Sequence, residues 1–341
     1  MYQISVLIPV YNVEKEISRC LISLLNNTIA DKAEYIIVND CSTDNSMSVV
    51  DDVINQYPQF KKQIIVINNE KNMGIGYVRN VLLNNAKGKY ILFVDSDDWA
   101  EPTYLESLYS QACLSNADIV QCNFYHEEND GTIIDESTTP LAQSGKECLI
   151  DLYQMKIGAY LWVKMIRKNF LHDNNLTFTP GIDMWEDVYF MTKLFMCNPK
   201  TSNVNQSLYH YVMTKNSYLR SIFSIKKADN IFLAISKIEE FLSNNNYEIE
   251  MNYFLQRKAG IKRDCLLKGS KKTIKKYIYL YPEIDKYIKL YYQPGIKKIN
   301  KIHKFIFSFI EKSPKTTYTL LMLFNTIKIL LKKIDYKSFM E

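Results

Sequence analysis

The sequence predicts an α/β protein with a mainly parallel central sheet and a helical C-terminal extension. Three observations carry this. Short, nearly continuous apolar runs alternate with stretches of helical spacing, in units of about 30 residues, through the first hundred positions. Each of these runs stops at a cluster of polar residues, as strands do where a parallel sheet meets its ligand. From residue 226 onward the pattern is helical and basic, with no strand-like run and no internal repeat.

Residues 4–10 (Ile-Ser-Val-Leu-Ile-Pro-Val) read as a strand buried on both faces. Residues 13–29 place Val13, Ile17, Cys20, Leu21, Leu24 and Leu25 at helical spacing. Residues 34–38 form a second buried strand, and Ser42 and Asp44 are placed to cap a helix through about Gln56. A third strand is expected over 63–67, a helix over 76–86 closed by Gly88, and a fourth strand over 89–94. A helix and a strand are expected over 102–125. Residues 126–145 are polar and lack periodicity, which reads as a loop; 145–175 read as helical, 183–197 as a helix opened by acids, and 204–213 as a strand.

At 341 residues the chain is longer than one compact core usually carries. The charge is divided along it. Residues 1–225 hold 18 basic and 26 acidic side chains, whereas residues 226–341 hold 24 basic and 11 acidic. A net of −8 against +13 sets an expected boundary near 225, giving a catalytic part over 1–225 and a basic helical part over 226–341 suited to anionic partners. The seven cysteines are scattered without a C-x-x-C pair, which fits reduced thiols and offers no zinc site. The four histidines lie far apart. No basic leader with an apolar run is visible, so a cytoplasmic location is expected. The best candidate for a membrane span, Tyr318 to Leu331, is 14 residues long and contains Asn325 and Lys328, too short to cross a bilayer.

The strand-end rule brings Tyr11-Asn12, Asn39-Asp40-Cys41-Ser42 and Asp95-Ser96-Asp97-Asp98 to one crevice. Three carboxylates within four positions repel one another unless a cation neutralises them, and oxygen-rich sites suit Mg²⁺ or Mn²⁺. A capping turn ahead of Trp99-Ala100-Glu101-Pro102 accounts for the same acids. Asp40 stands where a carboxylate bonds a ribose or a base edge, and equally where one closes a turn with Ser42 and Asp44.

The combination resembles glycosyltransferase family 2, the inverting enzymes of the GT-A fold, over roughly residues 3–220. Ser5-Val-Leu-Ile-Pro-Val-Tyr-Asn12 is similar to the family's first strand. Val38-Asn39-Asp40-Cys41-Ser42-Thr43-Asp44 is similar to its second, with Asn39-Asp40-Cys41 as a variant of the usual pattern. Asn69 to Asn80 resembles the N-x-G-x-x-x-A-R-N segment, and Phe93 to Asp98 the D-x-D-D signature. The resemblance implies that Pro9, Tyr11, Asn12 and Asp40 meet the nucleotide, Asp40 at the base. It also implies that Asp95 and Ser96 reach the ribose or diphosphate, and that Asp97 holds the metal, Mn²⁺ or Mg²⁺. Arg79 falls near the donor by the same likeness, although a salt-bridged helix residue reads identically. Gly74 and Gly76 permit a turn or a close approach to ligand.

Inverting transfer needs a carboxylate to take the acceptor's proton. Trp185-Glu186-Asp187 resembles the E-D motif that opens a helix, which makes Asp187 the base and Glu186 its support. Asp183 is a rival, and acids at a helix start are also ordinary. Trp162-Val-Lys164-Met-Ile-Arg167 and Tyr209-His210-Tyr211 with Lys215-Asn216-Ser217 resemble two further family segments. Trp162 and Asp98 are candidates for the acceptor side, with Trp162 as plain core the competing reading.

The resemblance makes the partners a nucleotide-sugar donor, most often uridine-linked, and a glycan or lipid-linked acceptor. Beyond 226, lysines interleave with apolar residues at Lys271 to Tyr279 and Lys297 to Phe307, which suits an anionic membrane surface or simply a solvated helical face. A peripheral position on the inner face of the cell membrane is the expectation. The donor motifs give nucleic acid no support as a partner. A dehydrogenase is disfavoured because no G-x-G-x-x-G follows the first strand, and a nucleotidyltransferase because Pro9-Val-Tyr-Asn12 offers no phosphate loop. An inactive sugar-nucleotide-binding module would not need the full set Asp40, Asp95, Asp97 and Asp187.

Overall fold

The computed structural model describes residues 2–128, 130–213, 224–288 and 301–337. The chain divides into two compact units, Met1–Leu152 with Lys156–Leu219, and Tyr153–Met155 with Arg220–Glu341.

The first unit is built on a nine-stranded sheet. Strands β1 (Ile4–Val10), β2 (Ala33–Asn39), β3 (Ile64–Asn68) and β4 (Tyr90–Phe93) run parallel in the order β3-β2-β1-β4. Every residue of β2 and β4, and all of β1 except Pro9, is buried, as continuous apolar runs require when helices cover both faces. Helices α1 (Ile17–Leu25), α2 (Ser46–Gln56) and α3 (Ile75–Asn85) make the crossovers. The chain moves outward from β1 to β3, then returns to place β4 on β1's other side. The switch point for a ligand therefore lies at the carboxyl ends of β1 and β4. At the opposite end, the buried carboxylate of Glu34 accepts from the Ser5 hydroxyl (2.6 Å) and the Gly88 amide (3.0 Å). These bonds pin three neighbouring segments in register.

The other half of the sheet departs from expectation in two places. After β5 (Trp99–Ala100) and α4 (Tyr104–Ser115), strand β6 runs over Ile119–Glu127 and is met by an antiparallel β7 (Ile133–Glu136), inside the stretch expected to be a loop. Ile133, Ile134 and Asp135 are all exposed, so a backbone ladder holds β7 and no alternation marks it in sequence. Likewise 145–175 is not one helical stretch. Helices α5 (Gly145–Tyr153) and α6 (Lys168–Asp173) flank β8 (Lys164–Arg167), which is antiparallel to both β4 and β6. Four residues are too few to show a period. After α7 (Glu186–Met196), the twelve-residue β9 (Thr201–Val212) pairs in parallel with β6 and antiparallel with β5. The result is a mixed sheet whose long ladders are parallel, in an α/β frame.

The second unit is helical: α8 (Ile225–Asn244), α9 (Glu248–Lys268), α10 (Lys271–Tyr277), α11 (Asp285–Ile288), α12 (Lys301–Phe307) and α13 (Pro314–Lys337). Ser224 and Ser270 cap α8 and α10, each accepting from a backbone amide three residues on at 3.2 Å. Part of the unit's positive charge is neutralised inside it. Lys262 pairs with Asp285 at 2.5 Å, and Lys258 pairs with Glu239 and Glu283 at 2.9 Å each. Among the described residues no helix is long and apolar enough to cross a membrane.

Candidate active site

Four segments of the first unit supply the site. The ends of β1 and β2 are tied together by side chains. Asn12, at φ 52°, donates its backbone N–H to the Ser42 hydroxyl (3.1 Å) and accepts from the Thr43 amide (2.7 Å) through its side-chain oxygen. Asp44, two residues ahead of α2, accepts from the Ser46 amide at 3.0 Å, an Asx turn that leads into the helix; the N-cap residue itself is Asn45, which makes no side-chain capping bond. Tyr11 is 48% exposed and presents an open ring at this end of the crevice.

Asp40 is bound to its own chain. It is buried, and its two oxygens accept from the Asn69 amide group (2.8 Å), the Met73 N–H (2.8 Å) and the Gly74 N–H (3.0 Å). The carboxylate expected at the base thus also builds the 69–74 turn. In sequence, a carboxylate that binds a ligand and one that binds a loop are indistinguishable. Gly74 ends that turn at φ +83°, and a Cβ there would lie 2.2 Å from Oδ1 of Asp183. Asp183, the rival base, is thus exposed and packed on the start of α3.

The three acids after β4 have three different settings. Asp95 lies 3.9 Å from the Arg79 guanidinium; burial pushes its carboxyl up, Arg79 opposes the rise, and Glu186 adds to it. Asp97 is pushed up to about 6 by burial and by the charge of Asp95, with Arg19 of α1 among the groups that oppose this. Sequence reasoning missed Arg19, a helix residue with no motif around it; it also bridges towards Glu127 at 3.6 Å. Ser96 is buried between these two acids. Asp98 is buried and accepts from the Tyr209 hydroxyl (2.9 Å) and the Val212 amide (2.8 Å). It anchors β9 to the cluster, so the acceptor contact expected of it is not available.

The helix α7 brings the last segment. Trp185 precedes it in the left-handed region at φ 64°. Glu186 is ion-paired with Arg79, which is 7% exposed and lies over the rings of Phe93 and Phe178. Arg79 is thus a salt-bridged helix residue whose guanidinium also faces Asp95. Asp187 is pushed up to about 7, by burial first and by the adjacent Glu186 charge second, against the pull of Arg79; the charge of Asp95 is felt there too. A carboxyl held near neutrality beside a crevice is suited to accept a proton.

Trp162 is 5% exposed. Its ring is stacked with those of Tyr160 (centroids 5.0 Å), Tyr209 (4.7 Å) and Tyr211 (5.6 Å), all nearly parallel to it. It is core, and no sugar reaches its face; Tyr160, 43% exposed, is the ring of this stack left open. Beneath it Lys164 is fully buried, donates to the carbonyls of Gly158 and Tyr160 at 2.9 Å each, and is pulled down to about 7 by burial. His210 is buried between Trp99 and Tyr125 and bonded to Glu101 at 2.8 Å, a structural setting. Lys215, Asn216 and Ser217 lie outside the described residues.

Among the described residues no three His, Cys, Asp or Glu side chains converge to hold a metal ion. A divalent ion of the magnesium type takes one or two carboxylates and completes its shell with substrate phosphates and water. Asp97 with Asp95 beside it fits that requirement: two hard oxygen ligands whose mutual repulsion a cation relieves.

Comparison with known proteins gives a consistent result. The family model described as Glycosyl transferase family 2 matches residues 5–179, a span that includes the acidic cluster and stops short of Glu186. The putative glycosyltransferase EpsH of Bacillus subtilis (strain 168) is 33% identical over 274 residues, 77% of this chain and 76% of EpsH. Glycosyltransferase GlyA of Streptococcus pneumoniae serotype 4 is 32% identical over 265 residues, 75% of this chain; the chain spans only 37% of GlyA. Among solved structures, residues 1–349 of S. aureus TarS superpose with a TM-score of 0.65 at 20% identity, covering 95% of this chain and 91% of that one. The same TarS fragment in complex with UDP-GlcNAc gives 0.63 at 19%, covering 95% and 92%. At such identities the likeness concerns the fold.

Proposed function

Since the chain belongs to glycosyltransferase family 2, we propose that it moves a sugar from a nucleotide-sugar donor to a hydroxyl of a glycan or lipid-linked oligosaccharide in cell-surface polysaccharide synthesis. The donor is a uridine-linked hexose or N-acetylhexosamine, a choice supported by the UDP-GlcNAc bound to the TarS fragment of like fold. Pro9, Tyr11, Asn12, Asp95 and Ser96 form the donor side. Asp187 is the base: it takes the proton from the acceptor hydroxyl as that oxygen attacks the anomeric carbon. The bond from that carbon to the diphosphate breaks, and the nucleoside diphosphate leaves from the opposite face with inversion. Mn²⁺ or Mg²⁺ at Asp97, with Asp95 beside it, supplies positive charge against the leaving diphosphate. Glu186 does not compete as a base because Arg79 holds its carboxylate.

The observation that carries the reading is the bridge Asp95–Arg79–Glu186. It brings the acids after β4 and the start of α7 to one place across 107 residues between Arg79 and Glu186. The test is Mn²⁺-dependent donor hydrolysis and transfer by the wild type, Asp97→Ala and Asp187→Asn. Asp97→Ala is expected to lose donor affinity and turnover together, Asp187→Asn turnover alone. Wild-type rates in both variants would refute the assignment.

The same proposal places the work at an anionic membrane, where a lipid-linked acceptor resides. Helix α10 gives this little support, since Ile274, Tyr277 and Ile278 are buried in their own unit. Helices α12 and α13 give more: Ile302, Phe305, Leu323 and Ile327 are exposed with the exposed Lys304, Lys312 and Lys315 among them. Lys297 and Lys298 lie outside the described residues. Vesicle co-sedimentation decides: binding to anionic vesicles but not to zwitterionic ones is expected, and weaker binding by Phe305→Ser. No binding to anionic vesicles would sink it.

A further inference from the structure

Asn80 follows Arg79 on α3 and has no part in the mechanism above. Its side chain nonetheless makes a complete two-point contact with one distant residue. Its Nδ2 donates to the Phe178 carbonyl at 2.9 Å, and the Phe178 N–H donates to its Oδ1 at 2.8 Å, 98 residues away in sequence. An amide paired in this way imitates a strand partner and fixes both the position and the tilt of the peptide it reads. The segment that follows lies directly on α3: at Gly76 a Cβ would come within 3.0 Å of the Thr179 carbonyl oxygen and 3.1 Å of that of Ile182.

Phe178 then transmits the position. Its ring stacks on Phe190 with centroids 4.2 Å apart and planes 6° apart, and meets Phe93 edge-on at 5.7 Å. Phe93 is the last residue of β4, two before Asp95. Phe190 lies on α7 three residues after Asp187, nearly one turn, so the stack bears on the helix just below the base. No strand holds residues 176–185; Asn80, reaching from α3, and Lys193 of α7, bonded to the Thr177 carbonyl, are among the side chains that do so.

We propose that Asn80 is a positioning residue for the base: it holds Phe178, Phe178 holds the first turn of α7, and that turn aims Asp187 at the sugar. The proposal rests on Asp187 being the base. Donor binding should change far less than turnover, because Asn12, Asp95 and Asp97 follow strands whose ladders Asn80 does not touch, and Phe178 reaches that side only through its edge-on contact with Phe93.

The test is steady-state kinetics of the full chain carrying Asn80→Ala, with UDP-GlcNAc as donor. Displacements of about 1 Å far from the chemistry cost about 100-fold. We therefore expect kcat down by about that factor and donor KM within about twofold. The acid limb of the pH profile is expected to move to lower pH, since a loosened α7 admits water to Asp187 and burial is what raised it. Asn80→Asp, nearly isosteric but unable to donate to the Phe178 carbonyl, should fall at least as far. Amide exchange provides a readout independent of activity: peptides from 177–190 should exchange faster in both variants, and those from 5–12 and 36–42 unchanged. Unchanged kcat and exchange, or a loss appearing in donor KM instead of kcat, would overturn the role. A wild type inert towards nucleotide sugars would instead defeat the functional reading itself, so the two failures are distinguishable.

Discussion

Residues 4–98 and residues 99–213 build the two sides of one crevice by different means. The first stretch forms parallel strands with most residues of β1, β2 and β4 buried, and its site residues stand just past the ends of strands that backbone ladders fix. The second returns through short pairs, with β8 between β4 and β6, and its key segment before α7 belongs to no strand. Arg79, Asn80 and Lys164 hold that side through Glu186, Phe178 and the carbonyls of Gly158 and Tyr160. Ladder-held groups share their support over many bonds. Groups held by a few side chains depend on each of them, so single substitutions should separate the two sides.

The largest effect is expected from Arg79→Leu. It leaves the carboxylates of Asp95 and Glu186 near each other without their shared cation, and breaking a buried pair costs about 3–5 kcal/mol. Asn12→Ala, past the end of β1, removes the acceptor of the Thr43 bonds and puts alanine at φ 52°, and should cost about 2 kcal/mol. Urea unfolding of both variants measures the contrast, and equal losses would erase it.

A middle-sized effect is expected with pH. The carboxyl of Asp187 stands at about 7 in the folded chain against 3.8 for an ordinary aspartate. Activity that needs its ionised form should rise through an acid limb near pH 7. Stability should move the other way. The folded chain binds the proton more tightly, so the contribution of neutral Asp187 is fully present below about pH 4 and lost as pH rises through about 7. Measured against pH, the unfolding free energy of wild type should decline relative to Asp187→Asn over that window, and parallel curves would show that Asp187 is not perturbed.

The smallest effect belongs to Asp98→Asn. An asparagine still accepts from the Val212 amide and can turn its amide group to the Tyr209 oxygen, so the change should stay within about 1 kcal/mol, with donor affinity kept. Its neighbour Asp97, replaced in the same way, should lose donor affinity. Two adjacent aspartates behaving alike would blur the line between anchor and ligand.

The same division explains what the sequence made legible. Strands β1, β2 and β4 declare themselves because burial on both faces leaves seven, seven and four residues with almost no polar interruption, and the rule for strand ends then locates the crevice. Strand β8 has four residues, one of them a buried lysine, and β7 is an exposed ladder; neither leaves a periodic trace. Asp40 and Trp162 were visible as residues of note, but their partners were not. What separates a ligand carboxylate from one that builds a turn is the position of Asn69, Met73 and Gly74, and what separates a sugar platform from core is three tyrosines from distant segments. Asn80 stood inside a recognised motif, yet nothing near it in sequence announces Phe178.

Three glycines sit at almost the same left-handed angle, Gly74 at +83° and Gly131 and Gly181 at +84° each, yet a library of variants would treat them differently. At 131 and 181 nothing stands within 4 Å of an added Cβ, so a replacement meets only the backbone cost of about 1 kcal/mol, which asparagine bears best. At 74 an added Cβ meets only the carboxylate of the exposed Asp183, which can move aside; the stronger bar is the backbone, since φ +83° with ψ 158° is a conformation essentially confined to glycine. Deep mutational scanning should therefore find two tolerant glycines and one that admits no substitute. The intolerant one would lie where a turn built by Asp40 meets the approach to the base.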